Sequence, residues 1–206
     1  MAKSVVAFSL GEFDPTYTRV LIGDVIFSFA NYFTSLGTLE VITSYADFNY
    51  SEIKDLGNLS TIGGYANFGE SKIESLANLT TIGGDAYFRN SEVENLGNLT
   101  TIENDADFRG SRIKYLGNLT TIGGNALFEN SKVESLGNLT TIGGDAYFRN
   151  SEVTDLGNLT TIGGGADFGS SKITDLGKLT TIGEGVYFGD RTDLQTEWIK
   201  RKKQIK

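Results

Sequence analysis

Apolar residues occupy fixed columns along this chain, and the columns return every twenty residues. Leucine stands at Leu36, Leu56, Leu76 and onward to Leu176, and a second leucine follows three residues later, from Leu39 to Leu179. Isoleucine comes three positions after that, from Ile42 to Ile182. Four residues on is an alanine, Ala46 to Ala166 and then Val186, and two further a phenylalanine, Phe48 to Phe188. A serine (Ser51 to Ser171) and a branched residue (Ile53, Ile73, Val93 and their successors) complete the unit. A twenty-residue unit cannot bury its own apolar side, but stacked units share one continuous core.

The spacing L-x-x-L-x-x-I covers a helical face for seven residues. It cannot continue as a helix, because Gly63–Gly64 and their equivalents follow directly. A bent, partly extended or one-turn segment is the expectation there. Alanine and phenylalanine at period two predict a short strand with both side chains facing inward, parallel to its copies in neighbouring coils. Eight such coils at strand spacing make a rod about 40 Å long. The recurring serine is expected to face inward and to bond the backbone of the adjacent coil. The glycine pairs are expected to serve positive φ or close approach of coils.

Outside Leu36–Phe188 the pattern degrades. Ile22 and Ile26 lie twenty residues before Ile42 and Ala46, and Asn31 and Phe33 match the serine and branched slots. Residues 1–35 therefore read as an N-terminal cap and a degenerate first coil. A strand is expected over Val5, Val6, Phe8 and Leu10, and a short helix over 14–20 begun by Asp14–Pro15. Residues 36–190 read as an eight-coil solenoid, and 191–206 as a cap helix and basic tail. In that helix Thr192 suits an N-cap with Gln195 three residues on, and Leu194, Trp198 and Ile205 share a face. The fold class is thus an all-β-dominated parallel β-solenoid with short helical caps.

Composition removes chemistry. The chain has neither cysteine nor histidine, so a disulfide framework, a thiolate metal site and the commonest neutral-pH acid–base group are all absent. No cofactor is expected. Net charge is −8, with +4 concentrated in residues 191–206. An acidic body disfavours nucleic acid and anionic membranes, leaving Lys200, Arg201, Lys202 and Lys203 as the only candidate contacts to either. The N-terminus MAKSVVAFSLG is a poor signal-peptide core, which favours a cytoplasmic location.

With these columns in place, the pattern resembles leucine-rich repeats. It is most similar to the L-x-x-L-x-x-I-x-G-x-L-x-I-x-x-N-x-x-L coil of the receptor L domain, as Leu96, Leu99, Ile102, Ala106, Phe108 and Ser111 show. Alanine replaces the usual strand leucine, and serine the usual ladder asparagine. The resemblance implies a β-solenoid without long helices and a role in ligand or protein binding.

Candidate function lies in columns outside the core. Around the strand stand Tyr45, Tyr50, Tyr65, Asp85, Tyr87, Asp107, Tyr147 and Tyr187, and beside it Arg89, Arg109 and Arg149. Tyrosine and arginine dominate binding hot spots, so these residues form the expected partner-binding face. Carboxylates on a flat strand face suit neither a calcium site nor a hydrolytic pair, so the expectation is a non-enzymatic protein-binding scaffold. A structural or self-assembling surface protein is the alternative. Recurring threonine pairs such as Thr80–Thr81 raise an ice- or surface-binding role. Residues 81–93 and 141–153 are identical, which points to duplication of a three-coil block.

Overall fold

The structure is a computed structural model that describes residues 6–7, 13–32 and 34–204. It is a parallel β-solenoid. Each coil carries two strands of two residues, exemplified by Thr81–Ile82 and Ala86–Tyr87. Strands of the first kind stack into a ten-stranded parallel sheet, the threonine sheet, and those of the second into a nine-stranded alanine sheet. Single parallel bridges, Ser35 to Asp55 and onward to Asp155, run up a third side.

The alanine strand is as expected; the threonine strand was not. The L-x-x-L-x-x-I segment does bend. Leu39 N–H returns to the Leu36 carbonyl at 3.1 Å, and this turn recurs in each coil. The chain then straightens into the threonine strand, both residues of which lie inside the seven-residue segment whose helical spacing concealed it. The preceding threonine reinforces the stack: the hydroxyls of Thr80, Thr100, Thr120, Thr140, Thr160 and Thr180 donate to the carbonyl one coil back at 3.0–3.3 Å.

Every leucine, isoleucine, alanine and phenylalanine column faces inward. From Phe27 to Phe188 the rings form one ladder, with centroids 5.0–5.7 Å apart and planes within 16°. Alanine beside them leaves the room that a leucine would fill.

The glycines divide into two jobs. The glycine after the leucine, such as Gly97, sits at positive φ (58°), and only Ala77 breaks that column, at 47°. The paired glycines are not at positive φ. They lie where coils touch, so that a Cβ on Gly83 would overlap the Gly63 carbonyl. The serines correct an expectation. They are buried, but none bonds the adjacent backbone. Ser71 donates to Phe68 O of its own coil at 2.8 Å, and among the described residues Ser51, Ser91, Ser111, Ser131 and Ser151 have no partner for their hydroxyls.

The first coil is offset by one residue from expectation. Leu21 pairs with Ile42 and Val25 with Ala46, a spacing of twenty-one. Leu21 and Val25 are therefore buried while Ile22 and Ile26 are exposed. Ala30 takes the serine slot rather than Asn31, and Phe33 lies outside the described residues. The extra residue falls between Ala30 and Thr34, since Lys54 N–H again finds Thr34 O at the ordinary spacing. One inserted residue thus puts Leu21 and Val25 in the inward slots and turns Ile22 and Ile26 outward.

The expected helix over 14–20 is a single turn. Asp14 accepts the Thr16 N–H at 2.8 Å through its side chain, and Thr18 N–H returns to Asp14 O at 2.9 Å. The Asp14 side chain thus caps a helix start, but the turn does not extend because Val20–Leu21 is claimed by the sheet. Val6–Ala7 forms the first strand; the rest of the expected strand, Val5, Phe8 and Leu10, lies outside the described residues.

At the other end the helix Thr192–Gln204 closes the core with Leu194 and Trp198, both buried; Ile205 lies outside the described residues. Thr192 is not its cap. The Gln195 N–H goes to the Arg191 carbonyl at 3.1 Å, so the helix begins one residue earlier.

Candidate functional site

Successive coils place each non-core column on a line, so a residue's neighbours are those twenty positions away. The alanine sheet presents three such columns outward: the residue before alanine, the residue after it, and the residue after phenylalanine.

The first column holds Tyr45 and Tyr65, which stack at 4.6 Å with planes 5° apart. Tyr87 belongs to the second column, yet its ring meets Tyr65 edge-on at 6.2 Å. The three rings thus form one cluster on three consecutive coils. Tyr50 lies beyond the strand at a corner, at φ 56°, stacked at 5.3 Å on Phe29, which is also at positive φ. Left-handed backbone costs about 1–2 kcal/mol for a residue with a Cβ, and asparagine or glycine fills this corner in most later coils. Tyr147 and Tyr187 stand two coils apart and form a second group, with the Arg149 guanidinium 5.6 Å from the Tyr187 ring centroid.

The carboxylates have structural work. Asp85, Asp105, Asn125 and Asp145 form a ladder in which each side-chain oxygen accepts the N–H one coil on, at 2.6–3.1 Å. Asx residues at one slot in four successive coils were the signal for it. Asp85 also accepts the Tyr87 hydroxyl at 2.7 Å, and Asp145 the Tyr147 hydroxyl at 2.9 Å. Donating to a carboxylate holds the phenol neutral. Tyr87 is pushed up to about 12, first by that bond and then by burial, and Tyr147 is raised for the same reasons. Asp107 caps its own strand by accepting the Arg109 N–H at 3.0 Å. Among the described residues, no group of three acidic side chains converges as a metal site would require.

The arginines differ by their neighbours. Arg109 grips Asp107 with two bonds of 2.9 and 2.6 Å, and Asp107 is nearly buried. Arg149 reaches Asp167 of the next coil at 3.4 Å. Arg89 lies in a block identical to that of Arg149, but its corresponding carboxylate is Asp107, already taken by Arg109. Among the described residues Arg89 has no ion-pair partner. It lines an open groove of about 610 Å³ with Tyr87, Asn49, Asn67 and Glu70, hollowed where Gly69 supplies no side chain.

The basic helix is partly committed to the fold. Arg201 bonds the carbonyls of Gly177 and Leu179 at 2.8 and 3.1 Å and pairs with Glu197, while Lys202 lies over Trp198 at 5.4 Å. Lys200 and Lys203 remain exposed. Among the described residues no helix is long and apolar enough to cross a membrane.

Comparison with known proteins brings no match: no family, no curated protein and no solved structure is similar enough to this chain to place it, so the leucine-rich-repeat resemblance rests on the repeat pattern.

Proposed function

We propose that this chain is a non-enzymatic scaffold that presents the outer face of its alanine sheet to a protein partner. The observation that carries this reading is the cluster of Tyr45, Tyr65 and Tyr87, held against one another on a rigid stack. Rings already immobilised lose little entropy on binding, and tyrosine offers a large apolar face with a polar tip. The unpaired Arg89 and the groove at Gly69 adjoin the cluster and supply a charged anchor and relief for a partner's side chain. Retrieval of a partner from extract of the native host tests this. Paired Tyr65→Ser and Tyr87→Ser substitutions are expected to weaken capture about tenfold or more, while Thr121→Ser with Thr141→Ser on the threonine sheet leaves it intact. Equal capture by both variants refutes it.

A second reading, adhesion to an ordered surface, rests on the threonine sheet. Its outward columns from Asn58 to Gly164 are asparagine, threonine or serine, and glycine, interrupted by Glu103 and Asn104. A thermal-hysteresis assay separates the two. End-to-end self-assembly is the less favoured alternative, because the terminal helix covers the last coil.

A further inference from the structure

Three local rules of the repeat fail together at one place on the bridge-bearing third side. The first concerns the residue ahead of each leucine. In seven coils it is serine, aspartate or asparagine, as at Asn95 and Ser135, and its side-chain oxygen accepts the N–H two residues on at 2.7–3.1 Å. In the remaining coil it is Tyr115, which offers no such bond and is 57 % exposed. The second concerns charge. Lys72 pairs with Glu92 of the next coil at 3.1 Å, and Lys172 likewise pairs with Glu152. Between those pairs Arg112 and Lys132 stand on adjacent coils, about 4.8 Å apart at the backbone, with like charge. Like charges directly opposite in a sheet are destabilising. The third is convergence. Arg112, Lys114 and Lys132 line one groove of about 510 Å³ with Tyr115, Asn95 and Glu94, and the Tyr115 hydroxyl donates to the Glu134 carboxylate at 3.3 Å, leaving the ring face open. Arg112 reaches Glu92 only at 4.0 Å, and among the described residues Lys114 and Lys132 have no ion-pair partner.

A turn cap given up, a repulsion tolerated and a ring left in water are costs that a repeat sheds unless something else is gained. We propose that this groove binds a phosphate group whose ester carries a flat ring. Arg112, Lys114 and Lys132 supply charge-assisted donors to the phosphate oxygens, and Tyr115 supplies the face against which the ring lies. The acidic charge elsewhere on the chain is screened over about 8 Å at physiological salt, so it does not repel the ligand from a locally basic groove. This site is on a different side from the tyrosine cluster and does not depend on the partner-binding reading.

Calorimetric titration at physiological ionic strength with inorganic pyrophosphate and with ADP tests it. Both are expected to bind, ADP more tightly. Lys132→Gln should weaken both roughly tenfold or more, and Tyr115→Ser should abolish only the advantage of ADP. Tyr115→Ser restores the turn cap of the other coils, and Lys132→Gln relieves the like-charge contact with Arg112 without placing a carboxylate beside Glu152, so thermal stability is expected to hold or rise, which separates lost binding from lost folding. No binding of either probe, or unchanged binding by Lys132→Gln, overturns the proposal.

Discussion

Replacing Phe108 by alanine probes the phenylalanine ladder at its middle. Phe108 is fully buried and stacks on Phe88 at 5.4 Å and on Phe128 at 5.1 Å. Truncating a buried phenylalanine costs about 3–5 kcal/mol. Each aromatic pair lost adds about 0.5–1.5 kcal/mol beyond burial. Removing two stacks places Phe108→Ala near the top of that range, a large share of the roughly 5–15 kcal/mol that a domain holds in reserve. Phe188 supplies the contrast. It is 7 % exposed, at the end of the ladder, with one neighbour at 5.7 Å. Phe188→Ala should cost about half as much, because a solenoid's stability sums over nearest-neighbour interfaces. Denaturant unfolding followed by circular dichroism and by Trp198 fluorescence measures both. For Phe108→Ala the two probes should separate, since the tryptophan reports the C-terminal coils and the break lies mid-stack. Equal costs at the two positions, or a cost below about 1 kcal/mol at Phe108, would refute nearest-neighbour stacking as the source of stability.

Ser111→Ala is expected to leave stability unchanged or raise it by about 1 kcal/mol, because the hydroxyl is buried without a partner; chemical denaturation measures it. Ala77→Gly should stabilise by about 1 kcal/mol, since Ala77 alone occupies a column of positive-φ glycines, and the midpoint shift in urea reports it. A spectroscopic titration of phenolate formation should show Tyr87 and Tyr147 ionising above the ordinary phenol value. Their raised folded values contribute stability that is fully present below pH about 10, and for Tyr87 is lost as pH rises toward about 12. Tyr87→Phe should abolish the late step assigned to Tyr87.

The core was legible because its columns admit no exception across eight coils: Leu99, Ile102, Ala106 and Phe108 could face nowhere but inward. What escaped detection has separate causes. Side-chain-to-backbone bonds leave no trace in an apolar pattern, so the ladder through Asp85, Asp105, Asn125 and Asp145 reads as surface acid, and the hydroxyls of Thr80 and its successors as a candidate ice- or surface-binding array. The first coil escaped because Ile22 and Ile26 repeat Leu21 and Val25 one residue late, and only the insertion between Ala30 and Thr34 decides which pair is buried. The candidate face was legible in its residue types but not in its grouping. Strand alternation put Tyr65 and Tyr87 in different columns, yet their rings meet, while Arg89 and Arg149, identical in local sequence, differ because Arg109 stands one coil beyond the first and Gly169 one coil beyond the second.

The twenty-residue stack itself is open to a direct test, because the chain has no cysteine of its own. Spin labels on cysteine pairs at Thr61 and successively Thr101, Thr121, Thr141 and Thr161 should give distances that rise linearly, by about 4.8 Å per coil to about 24 Å at five coils. Distances that fail to rise with coil number, or that rise with a different increment, would contradict the parallel solenoid and everything built on its columns.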